Sequence, residues 1–378
     1  MTLGLALLGG PGTAAAAAAA PGETSSTPET SDGDPPSGSS DDGSSGDAEA
    51  EPASDEPAGD LPKEAGPSPL ADPPTIPDPE VAVDPTPPAP PTVLPPRHRI
   101  AYTNATFVRY NPLGLENRLK IVYQRRLWGR TGKLFDGAYV GVGPKLDISP
   151  SNFRAGGVFE LVPLAILQLR AAYYLLGYFG SQKYKAHPFT SPTDEYGPDE
   201  LKIRADQDLA INVFGGQLEA NALFQVKFGP IALRDEVTYF HNTFTLPAPA
   251  DVFYDLRTDL LVPAKGGYLG NDADLLYVND KLRLAVGARG TYYHVFYPAS
   301  VFEDGDVEVK GQNDHARVGP LVTYRFKDRP ERRFVRPTLF FAAQWWVKHR
   351  YRASQQIHQG IPLLVLGFSF SGDLWARE

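Results

Sequence analysis

The chain has 378 residues, a net charge of −9 and no cysteine, which excludes disulfides, thiolate metal sites and cysteine nucleophiles. All 42 aromatic residues lie at or beyond Tyr102, whereas 21 of the 37 prolines lie at or before Pro96, so only the part beyond Arg97 can build a core. Charge divides at the same place: 17 acidic side chains against Lys63 alone give residues 1–96 a balance of −16, which leaves +7 for the rest.

Residues 1–20 carry no charge, an apolar stretch from Leu3 to Leu8 and an alanine run suited to cleavage near Ala17 to Ala20. They read as a secretory signal peptide. Residues 21–96 are rich in Pro, Ser, Gly, Asp and Glu and cannot bury enough apolar area to offset the entropy of ordering, so a disordered arm is expected. Its later half, with Pro73-Pro74, Pro87-Pro88 and Pro90-Pro91, suits extended polyproline II.

Beyond residue 96 no run reaches the ~18 apolar residues of a spanning helix. The recurring period is two, which places alternate side chains on opposite faces of a strand. Ala220, Ala222, Phe224, Val226 and Phe228 alternate with Glu219, Asn221, Gln225 and Lys227; Leu284, Val286 and Ala288 alternate with Arg283, Gly287 and Arg289. Phe153, Ala155, Phe159 and Leu161 oppose Asn152, Arg154 and Glu160; Leu339, Phe341, Trp345 and Val347 oppose Arg336, Thr338, Gln344 and Lys348. Thirteen strand segments are legible: 99–110, 115–127, 136–148, 152–162, 165–179, 207–228, 230–243, 251–261, 271–278, 281–297, 315–327, 334–351 and 360–371. Single-chain bacterial barrels have even strand counts, and merging or discarding the short segment 271–278 gives the preferred twelve, within a range of about ten to fourteen. The long connections are 180–206, 263–270 and 298–314, and the tight turns are at Asn279-Asp280 and 328–332.

Long strands, aromatics gathered at strand ends (Tyr173, Tyr174, Tyr178, Phe179; Tyr292, Tyr293, Phe296, Tyr297; Trp345, Trp346, Tyr351) and no helix to cover a sheet make residues 97–378 resemble the outer-membrane β-barrels of Gram-negative bacteria. The fold class implied is all-β, a closed antiparallel up-and-down transmembrane β-barrel, with the long connections outside the cell, the tight turns and the arm in the periplasm, outer-membrane lipids and the barrel assembly machinery as partners, and the cell wall as a contact of the arm. In that family the last strand ends on a terminal aromatic. Here Leu364, Leu366, Phe368 and Phe370 are followed by residues 371–378, so the signal is displaced inward or carried by Trp375. The competing reading is a soluble, secreted β-sandwich or lipocalin-like carrier, with its apolar face inward.

The face opposite the apolar one holds Lys120, Arg154, Arg170, Lys227, Arg234, Arg283, Arg289, Arg317, Arg325 and Arg336 against Glu160, Glu219 and Glu236. Such a lumen suits an anion-preferring pore, because like charges in a narrow passage concentrate counterions. It suits better a plugged scaffold in which Arg and Glu pair in ladders. No enzyme is indicated: His241, with Asn242 and Thr243, has no matched serine pattern and reads as a rim residue. Asp304 and Asp306, or Asp32 and Asp34, offer too few oxygens for a calcium site, Gly141 and Gly143 are weak as a phosphate loop, and no cofactor or nucleic acid is expected. A −16 arm tethered to a +7 barrel invites an electrostatic plug; a spacer crossing the periplasm is the preferred alternative.

Overall fold

A computed structural model describes residues 96–378 apart from 131, 133, 136, 303–312, 328–334, 354–359 and 378. The expected signal peptide, the expected arm up to residue 95, Asp304 to Asp306 and the expected turn at 328–332 lie outside the described residues.

Twelve strands close into one antiparallel ring. They are β1 (His98–Tyr110), β2 (Gly114–Arg126), β3 (Tyr139–Ile148), β4 (Asn152–Leu164), β5 (Leu167–Tyr178), β7 (Val213–Phe228), β8 (Ile231–Phe244), β11 (Lys265–Asn279), β12 (Leu284–Phe296), β13 (His315–Arg325), β14 (Val335–Lys348) and β15 (Leu363–Arg377). Each wall strand pairs with the next in sequence, and β15 closes on β1 from His98↔Arg377 to Tyr110↔Leu364. Closure leaves no sheet edge unpaired. Because β1 starts where β15 ends, both termini leave from one end of the barrel, called here the terminal end. The described residues of the connections 179–212, 245–264, 297–314 and 349–362 lie at the other, the loop end.

The strand total agrees with expectation, but its bookkeeping does not. The segment 271–278, expected to be merged or dropped, is the second half of the full-length strand β11, and of the expected loop 263–270, residues 265–270 are its first half. The dispensable segment is 251–261. It forms β9 (Val252–Asp255) and β10 (Leu260–Pro263), a hairpin that joins β6 (His187–Phe189) in a separate three-stranded sheet in the order β10-β9-β6. Residues 179–212 also contain a nine-residue helix, α1 (Pro198–Asp206), which the strand pattern did not anticipate. No helix among the described residues is long and apolar enough to cross a membrane. β15 runs on to Arg377, so Trp375 lies inside the last strand rather than in a tail.

Four inward-facing glycines set the corners of the wall. A Cβ at Gly143 would stand 1.9 Å from the Ile121 carbonyl oxygen, at Gly156 1.9 Å from that of Tyr173, at Gly287 1.9 Å from that of Leu275, and at Gly319 1.8 Å from that of Ala343. No side chain fits there. Gly143 and Gly156 lie on β3 and β4, Gly287 and Gly319 on β12 and β13, and these two pairs of strands sit opposite each other in the ring order. Over each glycine, side chains two strands apart come together. Lys145 and Tyr174 both pair in register with Gly156, and the Lys145 ammonium donates to the Tyr174 hydroxyl at 2.7 Å. Leu276 and Leu321 both pair with Gly287 and share one apolar cluster.

Gly156→Ala and Gly319→Ala should each prevent assembly, seen as loss of the heat-modifiable band on a cold detergent gel. Gly157→Ala, where a Cβ meets nothing within 4 Å, should assemble like the parent.

Candidate functional site: a charged lumen under a loop cap

Alternation gives the wall two opposite surfaces. Outward positions carry Tyr110, Phe214, Tyr239, Tyr292, Phe296 and Trp345 towards the loop end, and Tyr123, Phe228, Tyr277 and Trp375 towards the terminal end, with Val142, Leu218, Leu275, Val286 and Leu366 between. All are at least one-third exposed. So large a continuous apolar belt, edged by aromatics, has no place in water. This is the architecture of outer-membrane β-barrel proteins. The soluble sandwich or lipocalin-like reading fails on that belt, because a water-soluble carrier points its apolar face inward.

Inward positions carry charge. Arg154, Glu160, Glu219, Arg234, Glu236, Arg289 and Arg317 are buried in the wall's interior, and Lys120 and Arg170 are largely covered. Lys227 and Arg325 stand near the terminal-end rim, where Lys227 donates to Asp280 at 2.9 Å. Two expected lumen residues are elsewhere. Arg283 sits in the turn before β12 at φ +56°, and Arg336 is exposed at φ +54° where the β14 register shifts between Val335 and Thr338, so neither strand alternation applies to them.

The interior also holds ionisable residues that the sequence reading passed over: Arg109, Glu116, Arg118, Lys145, Asp147, Asp272 and Asp274. They complete a ladder of pairs running laterally round the wall. Arg118 pairs with Glu116, and Lys120 with Glu160, which also accepts from the Tyr139 hydroxyl at 2.9 Å. Arg154 bridges Asp147 and Glu219, the latter at 3.1 Å. Arg170 lies 3.6 Å from Glu219 and 3.3 Å from Glu236, and Arg234 joins Glu236 to Asp274. Asp274 in turn accepts from Arg289 at 2.6 and 2.7 Å. Arg109 and Arg317 have no carboxylate within ion-pair distance among the described residues.

The loop end is capped. The β9–β10 hairpin packs Phe253, Leu260 and Val262 against Tyr178, Phe240, Phe244 and Tyr268 of the wall, and its tip, residues 256–259, reaches into the mouth. Arg109 of β1 donates to the Leu256 and Arg257 carbonyls at 2.7 and 3.2 Å. Asp255 accepts from the Tyr178 hydroxyl at 2.7 Å, and Arg257 donates to Asp255, to Gln217 at 3.3 Å and to the Tyr268 hydroxyl at 3.2 Å. On the far side Asp259 is held by Arg352 and by the Tyr254 hydroxyl at 2.6 Å, while the His349 ring faces its backbone carbonyl at 3.2 Å. The tip thus touches wall strands β1, β5, β7 and β11 and the chain just beyond β14.

Burial and the nearby Arg204 guanidinium push His187 in the cap down to about 4, and burial likewise lowers His349. Burial alone would raise the Asp259 carboxyl, but Arg352 and His349 hold it well below the carboxylate range. His241, the one histidine singled out by sequence, faces outward on β8 with its Nδ1 3.4 Å from the Tyr239 hydroxyl, away from the lumen. No group of residues able to hold a metal occurs among the described residues.

No family model and no curated protein matches the chain. Among solved structures it is similar to Pseudomonas aeruginosa OccD3 (OpdP), at 12% identity over 75% of this chain and 93% of that one, with a TM-score of 0.30. It is also similar to CdiB from Acinetobacter baumannii, at 7% identity, 73% and 60% coverage and a TM-score of 0.33, and to the Pseudomonas putida toluene transporter TodX, at 8%, 75% and 89%, and 0.27. At such identities and TM-scores the likeness extends to no residue, substrate or activity.

Asp274→Ala leaves Arg234 and Arg289, each at most 2% exposed, without their shared partner, and should cost about 3–5 kcal/mol in urea unfolding. Lys227→Gln, which breaks a half-exposed rim pair, should stay within about 1 kcal/mol. The cap should loosen with acid. In an opened cap His187 and His349 take up a proton near the ordinary ~6.5, whereas in the closed cap they do not, so closure loses stability as pH falls through that value towards 4. Hydrogen exchange corrected for its intrinsic pH dependence should therefore rise in residues 252–263 between pH 7 and 4.5 while the wall strands stay protected.

Proposed function

We propose that the protein is a gated channel of the bacterial outer membrane, closed by the β9–β10 hairpin and selective for anions when open. The observation that carries this reading is the way the hairpin is held. It has no strand pairing with the wall, whose ring closes without it, and side-chain bonds fasten its tip. Such a device can withdraw while the barrel stays intact. Withdrawal would also free the Arg109 guanidinium from the two carbonyls it now holds, and with Arg317 it would present cationic groups not matched by carboxylates to the passage. A row of that sign draws anions. The reading is of a conduit rather than an enzyme.

A second reading is a closed scaffold. It is favoured by the ladder itself, in which Asp147, Glu160, Glu219, Glu236 and Asp274 all find cationic partners and Arg234 and Arg289 are sealed from water. We place the arm, residues 21–96, in the periplasm as a spacer able to contact the cell wall, and assign the barrel assembly machinery and outer-membrane lipids as partners on the strength of the architecture.

Planar-bilayer recordings decide between the readings. The parent should conduct little, and the double variant Asp255→Ser, Arg257→Ser should open frequently, with a reversal potential in a KCl gradient of the sign set by chloride. If the double variant folds, judged by its heat-modifiable band, and stays silent, the scaffold reading holds. A chain starting at Pro95 should match the parent at low salt if the arm is a spacer; a larger conductance would make the arm a plug.

A further inference from the structure

Two places on the lipid-facing side of the wall break its apolar pattern. On β8 and β11, Asp235 and Asn271 alternate with the inward Arg234, Glu236 and Asp272, so both point outward, where they are partly exposed. The Asn271 amide donates to the Asp235 carboxylate at 2.6 Å, and no cationic group lies within ion-pair distance of Asp235 among the described residues. On β1 and β2, Asn104, Thr106 and Asn117 likewise point outward and are partly exposed, since Arg109, Glu116 and Arg118 set the inward phase. The Asn104 and Asn117 amides donate to each other's carbonyl oxygens at 3.1 Å, and Asn117 also donates to the Thr106 hydroxyl at 2.8 Å.

Both patches lie between the aromatic edges of the belt, and they lie at one depth. Along β2 the outward side chains run Tyr123, Ile121, Leu119 and Asn117, and Asn104 pairs in register with Leu119. Along β11 they run Tyr277, Leu275, Ala273 and Asn271, and Asp235 pairs in register with Ala273. Asn104 and Asp235 therefore stand equally far above the tyrosine of the terminal-end edge. In the ring order the pair β1 and β2 lies diametrically opposite the pair β8 and β11. The patches differ in what they offer. One Asp235 carboxylate oxygen receives no donor, whereas the second amide hydrogen of Asn104 and the hydroxyl hydrogen of Thr106 have no acceptor among the described residues. They differ in relief as well: Val108, Leu366 and Phe368 stand proud round the amide patch, while Ala273 and Gly290, paired in register beside Asp235, leave the wall low.

We propose that copies of this chain associate side by side in the membrane, with the face holding Asn104, Thr106 and Asn117 of one barrel against the face holding Asp235 and Asn271 of the next. A carboxylate oxygen turned towards hydrocarbon gains most from the N–H and O–H donors that the opposite face presents, and the small residues beside it let a second wall come close. Two Asp235 faces would set like charges against each other, so unlike faces meet. All copies cross the bilayer in one orientation, so contact needs equal depth, which these faces have. Because the faces are opposite, each added barrel is related to the last by a translation, and the contact repeats as a row instead of closing into a ring. This goes beyond the channel reading and stands whether or not the barrel opens.

The chain has no cysteine, so introduced thiols are the only ones it carries. Arg125→Cys and Lys281→Cys place one at the exposed terminal-end rim below each face, clear of the polar residues. The full chain in phosphatidylcholine vesicles at high lipid-to-protein ratio is treated with a flexible bismaleimide. The double-cysteine chain should give a ladder of dimer, trimer and higher species. Each single-cysteine chain should stay monomeric, because like sites in a head-to-tail row lie a barrel's width apart. Asp235→Leu in the double-cysteine chain puts an apolar side chain on the lipid face, so it should keep the heat-modifiable band while cutting the ladder about three- to tenfold, the size of one hydrogen bond in a membrane. Should it lose the band, Asn104→Leu with Thr106→Val on the opposite face carries the test, with the same loss expected. A double-cysteine chain that stays monomeric overturns the proposal and leaves Asp235 facing lipid. Single-cysteine chains that cross-link as strongly as the double one also overturn it, since like faces or chance encounters would then account for the products. So does a ladder that a folded substitution leaves unaltered.

Discussion

A charge enclosed by a membrane barrel has neither water nor lipid headgroup to solvate it, so it must meet an opposite charge or a dipole such as a backbone carbonyl inside the wall. That requirement organises this molecule. Asp274 lies between Arg234 and Arg289, and Glu219 gathers Lys145, Arg154 and Arg170, so no single pair can be removed without stranding its neighbours. Period two follows from it. One face must be apolar for the bilayer and the other must present alternate donors and acceptors to adjacent strands. The glycine corners follow as well, because the Lys145 side chain reaches Tyr174 only across a residue that has none of its own.

Much of the wall was legible in the residues. Where one face is oily and the other charged, as in β4, β7, β12 and β14, the alternation identifies both the strand and its facing. It failed where a segment is buried on both sides or crowded with turn residues. Residues 252–255 are buried without exception, so their apolar run looks like any strand and carries no mark of belonging to a cap. Residues 266–272 hold three glycines, an asparagine and an aspartate, a composition that reads as a loop, yet cross-strand pairing with β8 and β12 carries the chain straight through. Glu160, Glu219 and Glu236 stood out on other strands, but Asp272 and Asp274 were lost with the segment 271–278 when the strand count set it aside. Asp272 and Asp274, two residues apart on one face, are the signal that period two would have supplied had the strand been accepted. Asp147, two residues from Lys145, carries the same signal.

The cap was not legible at all, and the reason is distance along the chain. Arg109 and the carbonyl of Arg257 meet across 148 residues, and Arg352 and Asp259 across 93. No local pattern encodes such a pair. Arg109 looks like an ordinary lumen arginine on β1, and its distinction is that its guanidinium is spent on main-chain oxygens instead of a carboxylate.

Wall and cap therefore differ in what holds them, and this difference decides which can move. The wall backbone is paired strand to strand round the whole ring, and opening one pair inside a bilayer leaves polar groups in hydrocarbon at several kcal/mol each, which makes the ring effectively rigid. The hairpin is held by the apolar packing of Phe253, Leu260 and Val262, and its tip by a handful of side-chain bonds worth about 1 kcal/mol each when neutral and about 1.5–3 when charged, at a water-facing end where lost bonds are replaced by solvent. A ligand or ion that distinguishes closed from withdrawn tip by a few kcal/mol is enough to shift that balance. The same amount spent on the wall would not separate two strands. Asp255 and Arg257 matter most in this respect, since they bind each other as well as Tyr178, Gln217 and Tyr268, and so tie three wall strands to one turn.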